Sequence, residues 1–160
     1  MSGLISASAV PLREPEDGRL ILDSQAGEVP VIEDKRIQEI DFGELEGVIC
    51  FNDAHEYLNL EMEKFFTNPW RFKRPKHGEN IVDILARTKD FWDEKIHDPS
   101  LLDKTILIAS HGCAVRALLQ NVYQDPENFW HGCVPPNCSV NVVEVKDGQA
   151  VLLEEDKVYA

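Results

Sequence analysis

The sequence predicts an α/β fold, and the prediction rests on one strand, one helix and the turn that joins them. Residues 105–109 are a short apolar run rich in branched side chains, which is typical of a strand buried on both faces. After Gly112 the apolar residues are spaced three and four apart, as on the buried face of a helix. The turn at Ser110-His111-Gly112 therefore lies at the carboxyl end of a sheet, where free helix N–H groups face a bound ligand.

His111 allows two interpretations at this position. As a functional residue, it places an imidazole beside an anion-binding helix N-terminus. As a capping or packing residue, it needs no ligand, and the local pattern favours neither interpretation. Motifs elsewhere in the chain have to decide between them.

Length and charge bound the class of protein. The chain has 160 residues, 29 of them acidic and 16 basic, so one soluble globular domain with a net charge of −13 is expected. Such a charge repels nucleic acid and anionic membranes, and no apolar run approaches the ~20 residues of a membrane span. The first residues lack the basic start and long apolar centre of a secretory signal, so a cytoplasmic location is expected.

The cysteines give a weak signal for a metal or disulfide site. Only Cys133 and Cys138 are close together, and Cys50 and Cys113 stand alone. A zinc site that uses this pair with His131 remains a minor alternative, because no second pair accompanies it. We expect free, mostly buried thiols and no metal or other cofactor.

Further elements follow from hydrophobic period and from breaker residues. Residues 1–18 are expected to be irregular, since Pro15 and Gly18 oppose a helix, and residues 19–160 to form the single domain. The remaining predicted elements are a short helix at 19–26, an edge strand at 29–32, helices at 53–66 and 79–97, a connecting turn or short helix at 124–131, and a hairpin of strands 139–145 and 150–154 that turns at Asp147-Gly148.

Two charged loops are candidate parts of a functional site. In residues 36–47, Glu39 lies between Ile37 and Ile40, which would hold its carboxyl in a partly apolar place and keep it protonated, as a general acid requires. For any single acid in such a loop, a solvated surface position is the common outcome. Residues 70–78 carry four cations and a histidine, which either attract an anionic substrate or balance the acids of residues 53–63.

Four motifs together resemble one family. Residues 36–47, R-I-Q-E-I-D-F-G-E-L-E-G, resemble the Leu-x-Glu-x-x-Phe-Gly-x-x-Glu-Gly block of the histidine phosphatase superfamily, the phosphoglycerate-mutase-like proteins. Residues 106–119 resemble its later Ser-His-Gly strand and helix, and residues 137–140 resemble its closing strand. Pro75 to Asn80, with Arg87 after it, resembles the Gly-Glu-Ser segment with asparagine in place of serine. The order of these motifs from residue 19 to residue 155 argues against chance.

The resemblance implies a fold and a class of reaction. The fold is an α/β three-layer sandwich with a mostly parallel central sheet, phosphoglycerate-mutase-like and N-terminally incomplete in this chain. The reaction is hydrolysis of a phosphomonoester, a small phosphorylated metabolite, without a cofactor. The short acidic block after Glu46 and the lack of a long insertion favour phosphatase over mutase chemistry.

The resemblance also assigns roles to residues. Glu39 would donate a proton to the leaving group, and His111 would be the second active-site histidine, beside the transferred phosphoryl group. The other candidate phosphate ligands are Gly112, Arg71, Arg74 and Arg13. Arg13 stands seven residues before Leu20, as the phosphate-binding arginine of the family would.

One motif of the family is missing from the sequence. Relatives have an early strand that ends in Arg-His-Gly, whose histidine attacks phosphorus, but none of the five histidines here follows an arginine. We therefore expect the chain as printed to be inactive, and a non-catalytic phosphate-binding or regulatory module is the alternative. In relatives the missing strand lies inside the sheet and precedes a helix that covers one face, so exposed edge and self-association, or completion by another chain, are also expected.

Overall fold

The computed structural model describes residues 2–8, 31–47 and 56–159, and these form an α/β fold. Two 3-10 turns, Lys35–Ile37 and Gly43–Leu45, lie in a loop of residues 34–47, which we call the Glu39 loop. The regular elements of the described ranges are strands β1 (Ser2–Ser8), β2 (Thr105–Ser110), β3 (Val140–Lys146) and β4 (Gln149–Lys157), and helices α1 (Glu56–Thr67), α2 (Ile81–His97) and α3 (Gly112–Leu119).

The four strands form one sheet in the order β2-β1-β3-β4. β1 and β2 run parallel with Ser8 opposite Ser110, whereas β3 is antiparallel to both β1 and β4. The prediction of a mostly parallel sheet is therefore wrong for the described strands. Parallel neighbours need a long crossover connection, usually a helix. The short turn between β3 and β4 makes these two strands antiparallel.

β1 corrects the prediction that residues 1–18 are irregular. Ser2–Ser8 pair with β2 on one side and β3 on the other, so a strand fills the interior position that was expected to be vacant. Serine, glycine and alanine are weak strand formers, but pairing on both edges outweighs local propensity. Residues 9–30 lie outside the described residues, and with them Arg13, the predicted helix at 19–26 and part of the strand predicted at 29–32. Val31 and Ile32 are exposed and form no strand.

β2 begins and ends close to its predicted bounds but is not buried on both faces. It is the edge strand of the described sheet, and Leu107 is 47% exposed whereas Ile108 is 3% exposed. Alternate residues of a strand point to opposite faces, and the described helices pack on the Ile108 face. The apolar run thus reflects one packed face and one open face.

The predicted hairpin is confirmed at its turn. Asp147 has φ 52° and Gly148 has φ 74°, so both central residues are left-handed between Lys146 and Gln149. This is the type I′ arrangement that matches the twist of the flanking strands. The Asp-Gly pair is therefore a local cause of the β3–β4 pairing.

The helix predicted at 79–97 forms as α2. Asn80 caps it by accepting from the N–H groups of Val82 and Asp83, and the Asp83 side chain accepts from the Asn80 N–H, which completes a capping box. α1 ends one residue after its predicted end, and residues 53–55 of that prediction lie outside the described residues. None of the described helices combines the length and apolar composition that a membrane crossing needs.

Two clusters of apolar side chains hold the described elements together. The sheet core lies between the sheet and helices α2 and α3 and contains Phe91, Trp92, Ile108, Val115, Leu118, Leu119 and Val143. The helix core lies on the other side of α3 and contains Ile40, Met62, Phe65, Phe72, Ile81, Ile84, Cys113, Ala114, Ala117, Phe129 and Trp130. All three described helices are thus on one side of the sheet, and the described residues do not confirm the three-layer sandwich.

Two glycines let the Glu39 loop touch the chain that precedes α2. Gly43 has φ +55°, and a Cβ there would lie 2.3 Å from the Lys76 carbonyl oxygen and 2.5 Å from the Gly78 nitrogen. A Cβ on Gly78 would lie 2.7 Å from the Asp41 carbonyl oxygen. Because these are backbone atoms, no rotamer change relieves the contact, and only glycine fits at either position.

We expect Gly43→Ala to lower the free energy of unfolding by about 3 kcal/mol, since backbone overlap adds to the cost of positive φ. Gly47 is the matched control, because it has φ +72° with no atom within 4 Å of an added Cβ. Gly47→Ala should cost only about 1 kcal/mol. Urea unfolding of the two variants measures the difference, and equal losses would show that the backbone approach is not what requires glycine.

Candidate functional site

The strand-to-helix turn forms where the sequence predicts it. β2 ends at Ser110, His111 is the N-cap with φ −116° and ψ 171°, and α3 begins at Gly112. The His111 carbonyl accepts from Val115 N at 2.8 Å, which closes the first helical turn. Its half-buried imidazole makes no hydrogen bond to any described residue. The ring is therefore not used as a side-chain cap.

The Glu39 carboxylate lies on the first turn of α3. Oε2 accepts from Cys113 N at 3.1 Å, and Oε1 accepts from Ala114 N at 3.0 Å and from Ile40 N at 2.8 Å. These contacts join residues 74 and 75 apart in sequence. The structure thus brings the two predicted catalytic residues to the same helix N-terminus, where the helix dipole favours negative charge.

The surroundings of Glu39 differ from the partly apolar place that the sequence suggested. Ile40 is 3% exposed in the helix core, and Ile37 packs against the sheet core. Each isoleucine side chain therefore contributes to a hydrophobic core. The carboxylate between them meets backbone N–H groups instead. In this geometry both oxygens are acceptors, and donating a proton requires one of them to carry hydrogen and turn from its N–H partner.

Gly112 is the point of closest approach at the start of α3. A Cβ there would lie 2.8 Å from Val134 Cγ1, and 3.9 Å from both Glu39 Oε2 and Pro135 Cδ. Residues 133–135, which we call the Val134 loop, therefore cover one side of the helix N-terminus. Sequence reasoning missed Val134, and the neighbouring prolines were the available signal for a rigid loop.

Arg116 of α3 holds the Val134 loop through hydrogen bonds to its backbone. It is fully buried, and its Nε and Nη2 donate to the Cys133 carbonyl at 3.2 and 2.9 Å. Nη1 donates to Tyr123 Oη at 2.7 Å and to Glu155 at 3.0 Å, and Nη2 also pairs with Asp156. A buried guanidinium needs such partners. The acidic pair late in the sequence was the signal that could have shown them.

Arg87 holds the backbone of the segment that contains Glu39. Nε and Nη2 donate to the two oxygens of Glu79 at 2.8 and 2.9 Å. Nη1 donates to the carbonyls of Arg36 and Gln38, both at 2.8 Å, and Nη2 to the carbonyl of Glu39 at 3.0 Å. The sequence placed Arg87 in a motif but gave it no role.

The predicted basic loop is not joined to this arrangement by the described contacts. Arg74 pairs with Asp83, Lys76 pairs with Glu44 at 2.8 Å, and Arg71 is exposed. Within the described ranges no contact links Arg71 or Arg74 to Glu39 or His111. Part of the positive charge is therefore balanced by neighbouring carboxylates.

The three described cysteines are free thiols, but two of them are not buried as the sequence predicted. Cys113 is buried in the helix core, and burial raises the pKa of its thiol, whereas Cys133 and Cys138 are exposed. Both exposed thiols flank Pro135 and Pro136, which oppose a helix or an interior strand in this segment. Across residues 2–8, 31–47 and 56–159, no group of three or more His, Cys, Asp or Glu side chains could hold a metal ion.

Known proteins resemble this sequence over most of its length. The family model described as histidine phosphatase superfamily (branch 1) matches residues 18–156. A 2,3-bisphosphoglycerate-dependent phosphoglycerate mutase 2 from Gloeobacter violaceus is 32% identical over 108 residues, which cover 65% of this chain and 47% of the mutase. The chain spans about half the length of the curated relatives it matches.

Solved structures share the fold. The Bacillus stearothermophilus protein YhfR superposes with a TM-score of 0.78 at 20% identity, over 99% of this chain and 75% of that one. The alpha-ribazole phosphatase from Shigella flexneri superposes with a TM-score of 0.69 at 19% identity, over 88% of this chain and 66% of that one. At such identities the likeness concerns the α/β fold alone.

The ion pair between Glu79 and Arg87 should make stability depend on pH. Hydrogen bonds from Arg87 hold the pKa of Glu79 below its usual value of 4.5. A carboxyl with a lowered folded-state pKa contributes stability above its unfolded pKa and loses it as the pH falls through the folded value. We therefore expect Glu79→Gln to destabilise the protein at about pH 7 and to lose less stability than the parent on acidification below about pH 5.

Urea unfolding across this pH range measures that difference. Asp93→Asn is the control, because Asp93 pairs with Lys89 on the exposed side of the same helix. Its pH profile should follow the parent. A Glu79→Gln profile parallel to the parent would show that the pair does not supply the acid sensitivity.

Proposed function

This chain belongs to the histidine phosphatase superfamily, branch 1, and on that premise we propose that it binds the phosphoryl group of a small phosphorylated metabolite. The observation that carries the proposal is the position of the Glu39 carboxylate on the turn of α3 that directly follows His111. The Glu39 carboxyl, the first N–H groups of α3 and the adjoining residue His111 then lie together at the carboxyl end of two parallel strands, which supports a phosphate site there. Phosphomonoester hydrolysis is the reaction that such an arrangement serves.

Each residue has a part in this proposal. His111 lies against the transferred phosphoryl group, and Gly112, the first residue of α3, is a phosphate ligand. Glu39 gives up its backbone partners and donates a proton to the leaving oxygen. Arg13, Arg71 and Arg74 are further phosphate ligands, and Arg74 has first to release Asp83. We assign the reaction no cofactor.

In the printed sequence no histidine directly follows an arginine, so the Arg-His-Gly motif whose histidine attacks phosphorus is absent. Covalent transfer needs such a nucleophile opposite the leaving oxygen, and a proton donor alone does not replace it. We therefore propose that these 160 residues bind phosphate but do not turn over a phosphomonoester.

A non-catalytic phosphate-binding or regulatory module is the second candidate. The observation that favours it is that both Glu39 oxygens already accept from backbone N–H groups. A carboxylate held this way stabilises α3 without any proton transfer. The two candidates make different predictions once an attacking histidine is supplied.

Partners and location are included in the proposal. A strongly acidic chain favours a small phosphorylated molecule over nucleic acid or an anionic membrane, and a cytoplasmic setting agrees with free thiols. Self-association, or completion by another chain, is supported by apolar residues on the open face of the sheet. Leu107, Val151 and Leu153 are 47%, 56% and 57% exposed there.

The binding test is a titration of the isotope-labelled chain with inorganic phosphate, followed by amide chemical shifts. We expect the resonances of residues 111–114 to move, and His111→Ala to weaken binding at least ~tenfold through loss of the imidazole contact. His97→Ala is the control, because His97 lies at the far end of α2. Binding that His111→Ala leaves unchanged would remove His111 from the site.

The catalytic test is hydrolysis of a generic aryl phosphate. The chain as printed should show no turnover above background, and robust hydrolysis would mean that another group attacks. A variant in which a family-like strand ending in Arg-His-Gly replaces β1, the strand between β2 and β3, should gain activity. In that variant, Glu39→Gln and His111→Ala should each lower the rate on the order of a hundredfold, or about 3 kcal/mol of barrier.

The outcome separates the two candidates. A chain with the replaced strand that binds phosphate but stays inactive favours the non-catalytic module. Activity that survives both substitutions undiminished would remove the assignment of Glu39 and His111.

A further inference from the structure

All three nitrogens of the Arg87 guanidinium group donate hydrogen bonds to the segment that contains Glu39 or to Glu79. Its donors reach three backbone carbonyls within four residues, those of Arg36, Gln38 and Glu39, and both oxygens of Glu79. The side chain is 19% exposed and lies on α2, not on α3. It touches Glu39 only through the backbone, so any effect on the phosphate site must pass through that residue.

We propose that Arg87, together with Glu79, is a positioning residue that sets the Glu39 carboxylate on the first turn of α3. The part of this inference that concerns phosphate rests on the proposed function. The part that concerns Glu39 and the α3 amides stands on the contacts alone.

Glu79 holds the backbone on the C-terminal side of Glu39. Its N–H donates to the Asp41 carbonyl at 2.7 Å, and its Oε2 accepts from Asp41 N at 3.1 Å. Arg87 holds the backbone at residues 36–39, and Glu79 holds it at Asp41. The side chain of Ile40 is meanwhile fixed in the helix core. The backbone is thus held on both sides of Glu39, which limits where its carboxylate can reach.

The geometry requires an arginine at this position. A guanidinium is a planar fork with five donors, and here it reaches two carboxylate oxygens and three carbonyls at once. A lysine ammonium keeps the charge but has three donors at one point. Arg87→Lys therefore preserves the ion pair with Glu79 while it releases part of the backbone.

The test measures amide hydrogen exchange at Cys113 and Ala114 in the 160-residue chain. These two N–H groups donate to the Glu39 carboxylate, so their protection reports its position. We expect Arg87→Lys to speed their exchange at least ~tenfold relative to amides later in α3, because Glu39 then leaves them part of the time. Lys89→Gln, which removes an exposed ion pair of the same helix, should leave both rates unchanged.

A double variant separates positioning from general loosening. In a Glu39→Ala background, Arg87→Lys should add nothing to the exchange of these two amides, since no side-chain acceptor is left at residue 39. Equal acceleration in both backgrounds, or no acceleration in the single variant, would overturn the proposal. Should Arg87→Lys fail to fold, Glu79→Gln serves instead, with the same expected acceleration and the same overturning results.

Titration with inorganic phosphate gives the second readout. Arg87→Lys should change the dissociation constant at least ~threefold, whereas Lys89→Gln should not change it. If the parent chain binds no phosphate, the proposed function fails, and the exchange result still decides the positioning role. If the parent binds phosphate and Arg87→Lys leaves both affinity and exchange unaltered, the positioning role fails and the proposed function stands.

Discussion

The contact on which the described site depends is the one between the Glu39 carboxylate and the first turn of α3. It connects the Glu39 loop, whose helical structure is limited to two 3-10 turns, to the helix that follows β2. The other features of the Glu39 loop prepare this contact. Arg87 and Glu79 hold its backbone, and Gly43 meets Gly78 at a distance that excludes any side chain. Ile40 secures it to the helix core.

α3 is the element that benefits most from these restraints. It has eight residues, which is too short to be stable as an isolated helix. Burial of seven of those residues supplies most of its stability. Two charged side chains, Glu39 and Arg116, stabilise it further. Glu39 satisfies N–H groups of the first turn, and Arg116 ties the middle of the helix to Glu155 and Asp156. The helix that carries the candidate site is thus supported by residues distant in sequence.

Local signals explain the part of the fold that the sequence predicted well. The strand-to-helix turn at His111, the capping box of α2 and the type I′ turn at Asp147-Gly148 each depend on a few neighbouring residues. The shared position of Glu39 and His111 was expected only through the family resemblance. No local pattern reports a contact across 74 residues.

The missed features all depend on partners far along the chain. Ser2–Ser8 form a strand because β2 and β3 pair with both of their edges, which outweighs their weak propensity. The open face of β2 is decided by which helices cover the sheet, and the apolar run alone does not report it. Arg87 and Arg116 look like ordinary helix cations in the sequence. Their roles come from carbonyls and carboxylates that folding brings to them.

The anchoring of Arg116 has a consequence for how the protein matures during synthesis. The ribosome makes α3 and the Val134 loop before it makes Glu155 and Asp156, near the end of β4. Until those two acids emerge, the Arg116 guanidinium lacks its counter-charges and stays hydrated, which opposes its burial. The Val134 loop beside Gly112 therefore gains its buried anchor only once Glu155 and Asp156 have been made.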